Sequence, residues 1–241
     1  MSDYPRIAVI TVVLNGAKHL EETILNVIRH KSVTAIDYLI VDGGSTDGSV
    51  DIIKKYADHI AWWVSEPDRG IYDAMNKGWA AAPENSYIIF LGSGDQIVSL
   101  PDTSQFQNHD VLYGTVQMGE DKIFWPSADY HLKLYNALHH QALLVNKGLH
   151  PPPPFNLRFP VYADFDFNQR LKKSGTRFVY SDDFIGYACP GGISDRQCFI
   201  ESLQIIVTNY GIMWATFALA GYASMKLFPV LKRLRPIQKR C

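Results

Sequence analysis

The residues best suited to chemistry lie in four stretches, each at a point where an apolar run breaks into glycine and acid. The run Tyr87 to Leu91 stops at Gly92-Ser93-Gly94-Asp95. A short apolar run bounded in this way reads as a strand buried on both faces, as in a parallel sheet. The glycines turn the backbone and leave Asp95 just past the strand's carboxyl end, where open α/β sheets bind their ligands. A carboxylate there can hold a divalent cation against a diphosphate, because Mg²⁺ binds through one or two carboxylates plus substrate phosphates. It can equally cap the next turn.

The second stretch, Asp42 to Ser49, is filled with small and acidic residues. Asp42 closes a strand, and an acid in that position accepts hydrogen bonds from ribose hydroxyls or a base N–H. Asp47 suits the cap of the helix that follows. The third stretch, Ser65 to Gly78, crowds Glu66, Asp68, Arg69, Asp73 and Lys77 into a loop and a helix start. It follows a strand on the crevice side, so Asp68, Arg69 and Asp73 read as ligand contacts and Glu66 as a solvated turn residue. In the fourth, Tyr162 to Leu171, Asp164, Asn168 and Leu171 share one helical face, with Asp164 at its amino-terminal end.

The apolar pattern supplies the elements that bring these stretches together. Arg6 to Leu14, Asp37 to Val41, Ile60 to Val64 and Tyr87 to Leu91 read as strands. Helical spacing recurs between them at Leu20, Ile24, Val27 and Ile28, at Val50, Ile53 and Ala57, and over Ile71 to Ala82. Strand and helix alternating with short connections imply right-handed crossovers and a parallel sheet with one ligand edge. No G-x-G-x-x-G opens a helix after the first strand, and no G-x-x-x-x-G-K-[ST] occurs, so dinucleotide and P-loop readings lack their fingerprints. Further on, Asp110 to Val116 and Leu143 to Val145 read as strands, and Pro151 to Pro154 as an extended loop. His139 and His140 beside the last of these strands fit a structural role or a metal or phosphate contact.

Composition bounds the rest. The chain has 241 residues, 47% of them hydrophobic and 20% charged, enough for a full core in one large domain or one domain with an appendage. A net charge of −1 gives no reason to expect a nucleic-acid partner. Cys189, Cys198 and Cys241 are odd in number and not spaced as ligands, which fits a reducing cytosol better than a disulfide framework. Met1 to Arg6 run straight into a strand without the apolar region of a signal peptide, so a cytoplasmic chain is expected.

Taken together, Thr11-Val-Val-Leu-Asn15, Val41-Asp-Gly-Gly-Ser-Thr-Asp-Gly-Ser49, Asp68-Arg-Gly with Asn76-Lys-Gly78, and Gly92-Ser-Gly-Asp95 resemble the family 2 glycosyltransferases. The likeness runs over roughly residues 5 to 195 and is nearest to bacterial enzymes of exopolysaccharide and O-antigen assembly. It implies a GT-A fold, α/β with a mostly parallel Rossmann-like sheet, flanking helices and a C-terminal helical extension. It also implies a nucleotide-diphosphate sugar donor, Mg²⁺ or Mn²⁺, and an inverting reaction. Asp42 would then contact the nucleoside, with Thr11, Asn15, Asp68, Arg69 and Asp73 nearby. Gly92, Ser93 and the Gly192 of Gly191-Gly-Ile-Ser194 would lie by the diphosphate. Asp95 matches the metal-binding acid of the family's D-x-D, whose first acid is replaced here by Ser93. Asp164 matches the catalytic acid of the later Glu-Asp motif, with Ala163 where the Glu usually stands and Asp166 as a competitor. A helix start by itself lowers a carboxylate pKa, so a useful base there needs partial burial.

Two rivals remain at this level. A nucleotidyltransferase shares the layout but should carry a basic glycine-rich loop after the first strand, and Asn15-Gly16-Ala17-Lys18 is too sparse. A catalytically silent scaffold of an assembly complex would differ by failing to bind nucleotide. The one compositional anomaly is C-terminal. Ser202 to Met225 carries no formal charge and precedes Lys226, Lys232, Arg233, Arg235, Lys239 and Arg240. Its length permits a bilayer span, but Gln204, Thr208, Asn209 and two glycines dilute it. Helices lying in the interface, with the basic tail on anionic lipid, fit better, and packing on the chain's own core is the alternative. The division expected is a catalytic domain over 1–195 and an extension over 196–241, held to the inner face of the cell membrane near a lipid-linked acceptor.

Overall fold

The computed structural model describes residues 6–31, 35–102, 110–120, 122–191 and 198–233. In the first half, β1 (Arg6–Val13), β2 (Ile36–Asp42), β3 (Trp62–Ser65) and β4 (Ser86–Gly92) alternate with α1 (Ala17–Lys31), α2 (Ser49–Lys55) and α3 (Ile71–Ala81). The four strands pair in parallel in the order β3-β2-β1-β4. Alternation along β1 serves both faces of the sheet. Ile7, Val9 and Val13 pack with Leu20, Ile24 and Val27 of α1 and Ile53 of α2. Ala8, Ile10 and Val12 pack with Tyr72, Met75 and Trp79 of α3. α3 lies close to the sheet because Gly78 has no Cβ, and one added there would overlap Ile10. β2 and β4 flank β1 on opposite sides, so the strand order reverses at β1 and leaves a crevice at the carboxyl ends.

The second half comprises β5 (Gln96–Ser99), β6 (Asp110–Met118), β7 (Lys122–Phe124), β8 (Leu143–Asn146), α4 (Ala163–Lys173), β9 (Arg177–Ala188), α5 (Phe199–Tyr210) and α6 (Ile212–Arg233). The sheet continues β4-β8-β6-β9-β5, with β7 on β6, giving nine strands among the described residues. β8 runs antiparallel to both β4 and β6, and β9 runs parallel to β6. The parallel layout expected for the first four strands thus gives way to a mixed sheet. Gly114 sits at a register shift between β6 and β9, where a Cβ would overlap the Phe184 carbonyl. Gly186 lets the 3₁₀ turn His140–Ala142 rest directly on β9, since a Cβ there would overlap the Gln141 carbonyl.

The division expected after residue 195 falls just ahead of a helix that belongs to the core. Ile205 and Ile206 of α5 are fully buried. The buried Glu201 carboxylate accepts the N–H groups of Val161 (2.9 Å) and Tyr162 (2.6 Å), at the entrance to α4. The Asn209 amide donates to Asp166 at 3.0 Å and to Gln169 at 3.1 Å. Gly211, at φ 87, ends α5 and starts α6. α6 buries Ala215 but leaves Ile212, Met213, Phe217 and Leu219 exposed. No helix among the described residues is long and apolar enough to cross a membrane.

Candidate active site

Asp42, at the end of β2, is fully buried. Its Oδ2 accepts the N–H groups of Gly44 (3.1 Å) and Ser45 (2.9 Å) and the Ser65 hydroxyl (2.7 Å). Its Oδ1 is buried with no partner. Three donors on one oxygen fix the carboxylate, and the orphaned second oxygen, costing about 1–3 kcal/mol unmatched, is suited to a ligand's N–H or O–H.

The loops after β1 and β2 are clasped together. Asn15, at φ 51, accepts Thr46 N–H at 2.9 Å and donates its own N–H to Ser45 Oγ at 2.7 Å. Ala17 N–H donates to Asp47 at 2.9 Å, and Asp47 also accepts from the Ser49 hydroxyl and N–H. The Ser49 hydroxyl first, then Ala17, hold the Asp47 carboxyl below its ordinary range. A protein carboxylate therefore occupies the amino end of α1, in keeping with the missing phosphate loop. Ser93 donates to the Gly16 carbonyl at 2.8 Å, closing the β4 loop onto the β1 loop.

Three of the residues expected to touch the nucleotide are thus engaged otherwise. Asn15 and Ser93 brace loops. Thr11 is fully buried inside β1, where its hydroxyl and that of Tyr38 share a hydrogen bond of 3.0 Å. Asp68 lies against Gly43, at the base of the Asp42 loop, and its Oδ1 accepts Gly70 N–H at 2.8 Å. Arg69 pairs with Asp73 at 3.0 Å yet is 77% exposed, and that pairing holds Asp73 below the usual carboxylate range. Glu66 pairs with Lys77 at 2.8 Å, as a turn residue can. Gly192 lies outside the described residues.

On the other side of the crevice, Asp95 is buried. Its Oδ2 accepts Gly92 N–H at 2.8 Å and the Gln141 amide at 3.0 Å, and its Oδ1 accepts Cys189 N–H at 2.9 Å. Burial nevertheless pushes its pKa above the ordinary value. His140 stands between two acids, with Nε2 3.9 Å from Asp95 Oδ2 and Nδ1 3.8 Å from Asp164 Oδ2. Asp164 Oδ1 accepts the Tyr72 hydroxyl at 3.0 Å and Phe165 N–H at 2.8 Å, and the Asn136 amide lies 3.4 Å from Oδ2. Burial favours the neutral acid at Asp164, but His140 and Tyr72 outweigh it and hold the pKa below the ordinary value. Burial likewise disfavours charged His140, but Asp164 and Asp95 outweigh it and raise that pKa. The result is an acid–imidazole–acid line in which the lowered carboxyl and the raised imidazole favour a charge pair.

The competing Asp166 turns to the other face of α4. It bonds Arg170 at 2.9 Å and Asn209 at 3.0 Å beside a cleft of about 520 Å³ that Arg69 and Asp73 also line. Tyr72, Asn136, Gln141 and the Cys189 amide were not legible as site groups. Only the His-His-Gln run gave a signal.

A divalent ion is what the resemblance implies at Asp95. Asp95 is the carboxylate that would hold it, with His140 Nε2 3.9 Å from Asp95 Oδ2. The unpartnered, buried Gln141 oxygen lies next to the same carboxylate. No three His, Cys, Asp or Glu groups cluster as a metal site among the described residues, so phosphate and water would complete the shell. One carboxylate with phosphate is a common way to hold Mg²⁺, and on that count the residues fit.

The fold is shared with solved GT-A enzymes. The mannosyltransferase PcManGT from Pyrobaculum calidifontis, in complex with GDP-Man and Mn²⁺, matches with TM-score 0.63 and 16% identity over 97% of this chain and 81% of its own. S. aureus TarS 1-349 in complex with UDP matches with TM-score 0.63 and 17% identity over 85% of this chain. The match spans 65% of the TarS chain, just under two thirds of its length. Fold and site together define a GT-A glycosyltransferase. The chain belongs to glycosyl transferase family 2, whose model matches residues 8–100. A PGL/p-HBAD biosynthesis glycosyltransferase of Mycobacterium bovis is 31% identical over 179 residues, 69% of each chain. An uncharacterized glycosyltransferase of Haemophilus influenzae is 31% identical over 115 residues, 45% of each.

Proposed function

We propose that the chain transfers a sugar from a nucleotide-diphosphate donor to a hydroxyl of a lipid-linked saccharide, with inversion, in surface polysaccharide or lipopolysaccharide assembly. The observation that carries this reading is the buried Asp164, joined through His140 to Asp95 at the mouth of the nucleotide half. The acceptor hydroxyl gives its proton to Asp164 as its oxygen attacks the anomeric carbon, and the bond to the diphosphate breaks on the opposite face. Positive charge develops on the sugar ring, as in glycoside hydrolysis. One base and one displacement give inversion. Asp42 Oδ1 receives the N–H of the base or a ribose hydroxyl. Asp95 would hold Mg²⁺ or Mn²⁺, which would supply Lewis-acid neutralisation of the leaving diphosphate. The complexes of the two solved neighbours, with UDP and with GDP-Man and Mn²⁺, support a donor of this class.

The test is titration of UDP, GDP and dTDP with and without Mn²⁺, followed by NMR of the product's anomeric configuration. One nucleotide should bind more tightly with Mn²⁺, and the product should be inverted. Binding of none of the three, or a retained product, refutes the reading.

Attachment to the inner membrane face rests on exposed Ile212, Met213, Phe217 and Leu219 on α6, ahead of six basic residues. Each basic residue near an anionic surface is worth about 1 kcal/mol. A cut at Glu201 would sever α5 from the core, so the truncated form should end at Tyr210. Full-length protein should pellet with membranes and the truncated form should not. A full-length form that stays soluble at low salt ends the membrane reading.

A further inference from the structure

We propose that the rings of Tyr130, His131 and Tyr135 form the subsite that grips a pyranose ring of the acceptor; this rests on the transferase reading with Asp164 as base. The three rings stand in sequence, with centroids 4.0 Å apart from Tyr130 to His131 and 5.8 Å from His131 to Tyr135. Tyr130 is 58% and Tyr135 50% exposed. A fold gains by burying aromatic rings, so a run of them facing water marks a surface with a partner.

The ledge is held firmly. Asp129 Oδ1 accepts His131 N–H at 2.8 Å and lies 2.7 Å from the imidazole Nδ1. Leu132 is fully buried, and Gln169 of α4 donates to its carbonyl at 3.0 Å. The turn that presents the rings is therefore fastened to the helix that presents Asp164. At its other end the ledge reaches the reacting group itself. Tyr135 is followed by Asn136, whose amide nitrogen lies 3.4 Å from Asp164 Oδ2 and whose Oδ1 is buried without a partner. That oxygen lacks a donor beside the base, and a sugar hydroxyl is one.

The chemistry favours a sugar over an apolar partner. A pyranose presents a face of weakly positive C–H groups and a rim of hydroxyls. Aromatic faces carry the negative part of a quadrupole and attract the former, while Asp129, His131 and Asn136 can bond the latter. The aliphatic side chains of the same segment do not join the ledge, since Leu132, Ala137 and Leu138 are buried and Leu134 is half-buried. A lipid-facing patch would expose them.

The experiment uses full-length protein and methyl glycosides of glucose, galactose, mannose, rhamnose and N-acetylglucosamine, followed by saturation-transfer NMR. UDP, GDP and dTDP are titrated separately. Wild type should bind at least one glycoside, with strongest saturation on the C–H protons of one ring face. Tyr130→Ala combined with Tyr135→Ala should weaken that binding about tenfold, by removing two ring contacts, and leave nucleotide binding unchanged. Tyr130→Phe with Tyr135→Phe should retain most of it. If wild type binds a nucleotide but no glycoside, or binds glycosides equally without the two rings, the ledge is not the acceptor subsite and the transferase reading stands. If no nucleotide binds, the transferase reading falls and takes the subsite with it.

Discussion

Asp42 and Asp164 are both buried carboxylates at one crevice, yet very different neighbours hold them. Asp42 is fixed by Gly44 and Ser45, two and three residues on, and by Ser65, 23 residues on. Asp164 takes its hydroxyl partner from Tyr72, 92 residues away, and Asp95 takes donors from Gln141 and Cys189, 46 and 94 residues away. Asp42 itself is thus fixed largely by the turn it begins. The reacting half exists only when β8, β9, α3 and α4 are all in register. Small backbone shifts should therefore disturb chemistry in the second half before they disturb nucleotide binding in the first.

The largest effect should come from the reacting acid itself. Asp164→Asn should leave nucleotide binding intact and lower the turnover rate about 10²-fold or more, the usual share of a general base. Asp166→Asn should weaken folding instead, because Arg170 and Asn209 lose a carboxylate partner. A rate collapse in Asp166→Asn beside a nearly active Asp164→Asn would exchange the two roles.

Glycine substitutions contrast the halves directly. In Gly186→Ala the new Cβ meets the Gln141 backbone carbonyl, which can move only by shifting the His140 turn. Overpacking of this kind costs about 1–3 kcal/mol, and activity should fall further than the folded fraction does. In Gly43→Ala the new Cβ meets only the Asp68 carboxylate end, which can swing aside, so the cost should stay under about 1 kcal/mol. Urea unfolding of both variants measures the difference, and equal costs would erase the contrast.

Asp42→Asn probes the first half alone. An amide can offer its NH₂ to the free side or its oxygen to the loop, but it cannot serve three donors and a ligand N–H as the carboxylate does. Nucleotide affinity should drop about tenfold, near 1.4 kcal/mol, by calorimetry. An unchanged affinity would mean that Oδ1 faces no ligand.

The same contrast explains what could be read in the chain before its structure. The four parallel strands, the helices between them and the acids at their tips follow from short-range apolar runs and glycine-rich turns, so their positions were legible. Asp164 at a helix start was legible too, because helical periodicity is local. Tyr72, Asn136 and Gln141 were not, since nothing near them in the chain signals a carboxylate dozens of residues away. Ser93 looked like a depleted metal motif, but the structure has it tying Gly16 in place. Thr11 was placed near the nucleotide only by the family resemblance, and in the structure it lies fully buried inside β1. α5 was assigned to an appendage because the run from Ser202 is apolar and uncharged, which is also the composition of a core helix.

The smallest effect expected concerns pH, and it separates the halves by sign. His140 faces Asp95 and Asp164, and those carboxylates raise its pKa despite burial. A group whose folded pKa lies above its unfolded value near 6.5 contributes stability in full below that value. The contribution fades as pH rises through the folded pKa. Asp164, held low, contributes above about pH 3.9 and loses its share only as pH falls through its folded pKa. Both contributions overlap in the mildly acid range. His140→Gln removes the imidazole charge, so the difference between wild type and variant reads that charge together with the response of Asp95, Asp164 and His139, which it faces. With chelator present, unfolding free energies at about pH 5.5 and about pH 9 should differ between the two proteins more at the lower pH. Asp47, the acid held low in the nucleotide half, has already given up its proton at both values and cancels from the comparison. A gap that widens towards alkaline pH would mean that His140 is neutral in the folded protein and that the two acids repel across it.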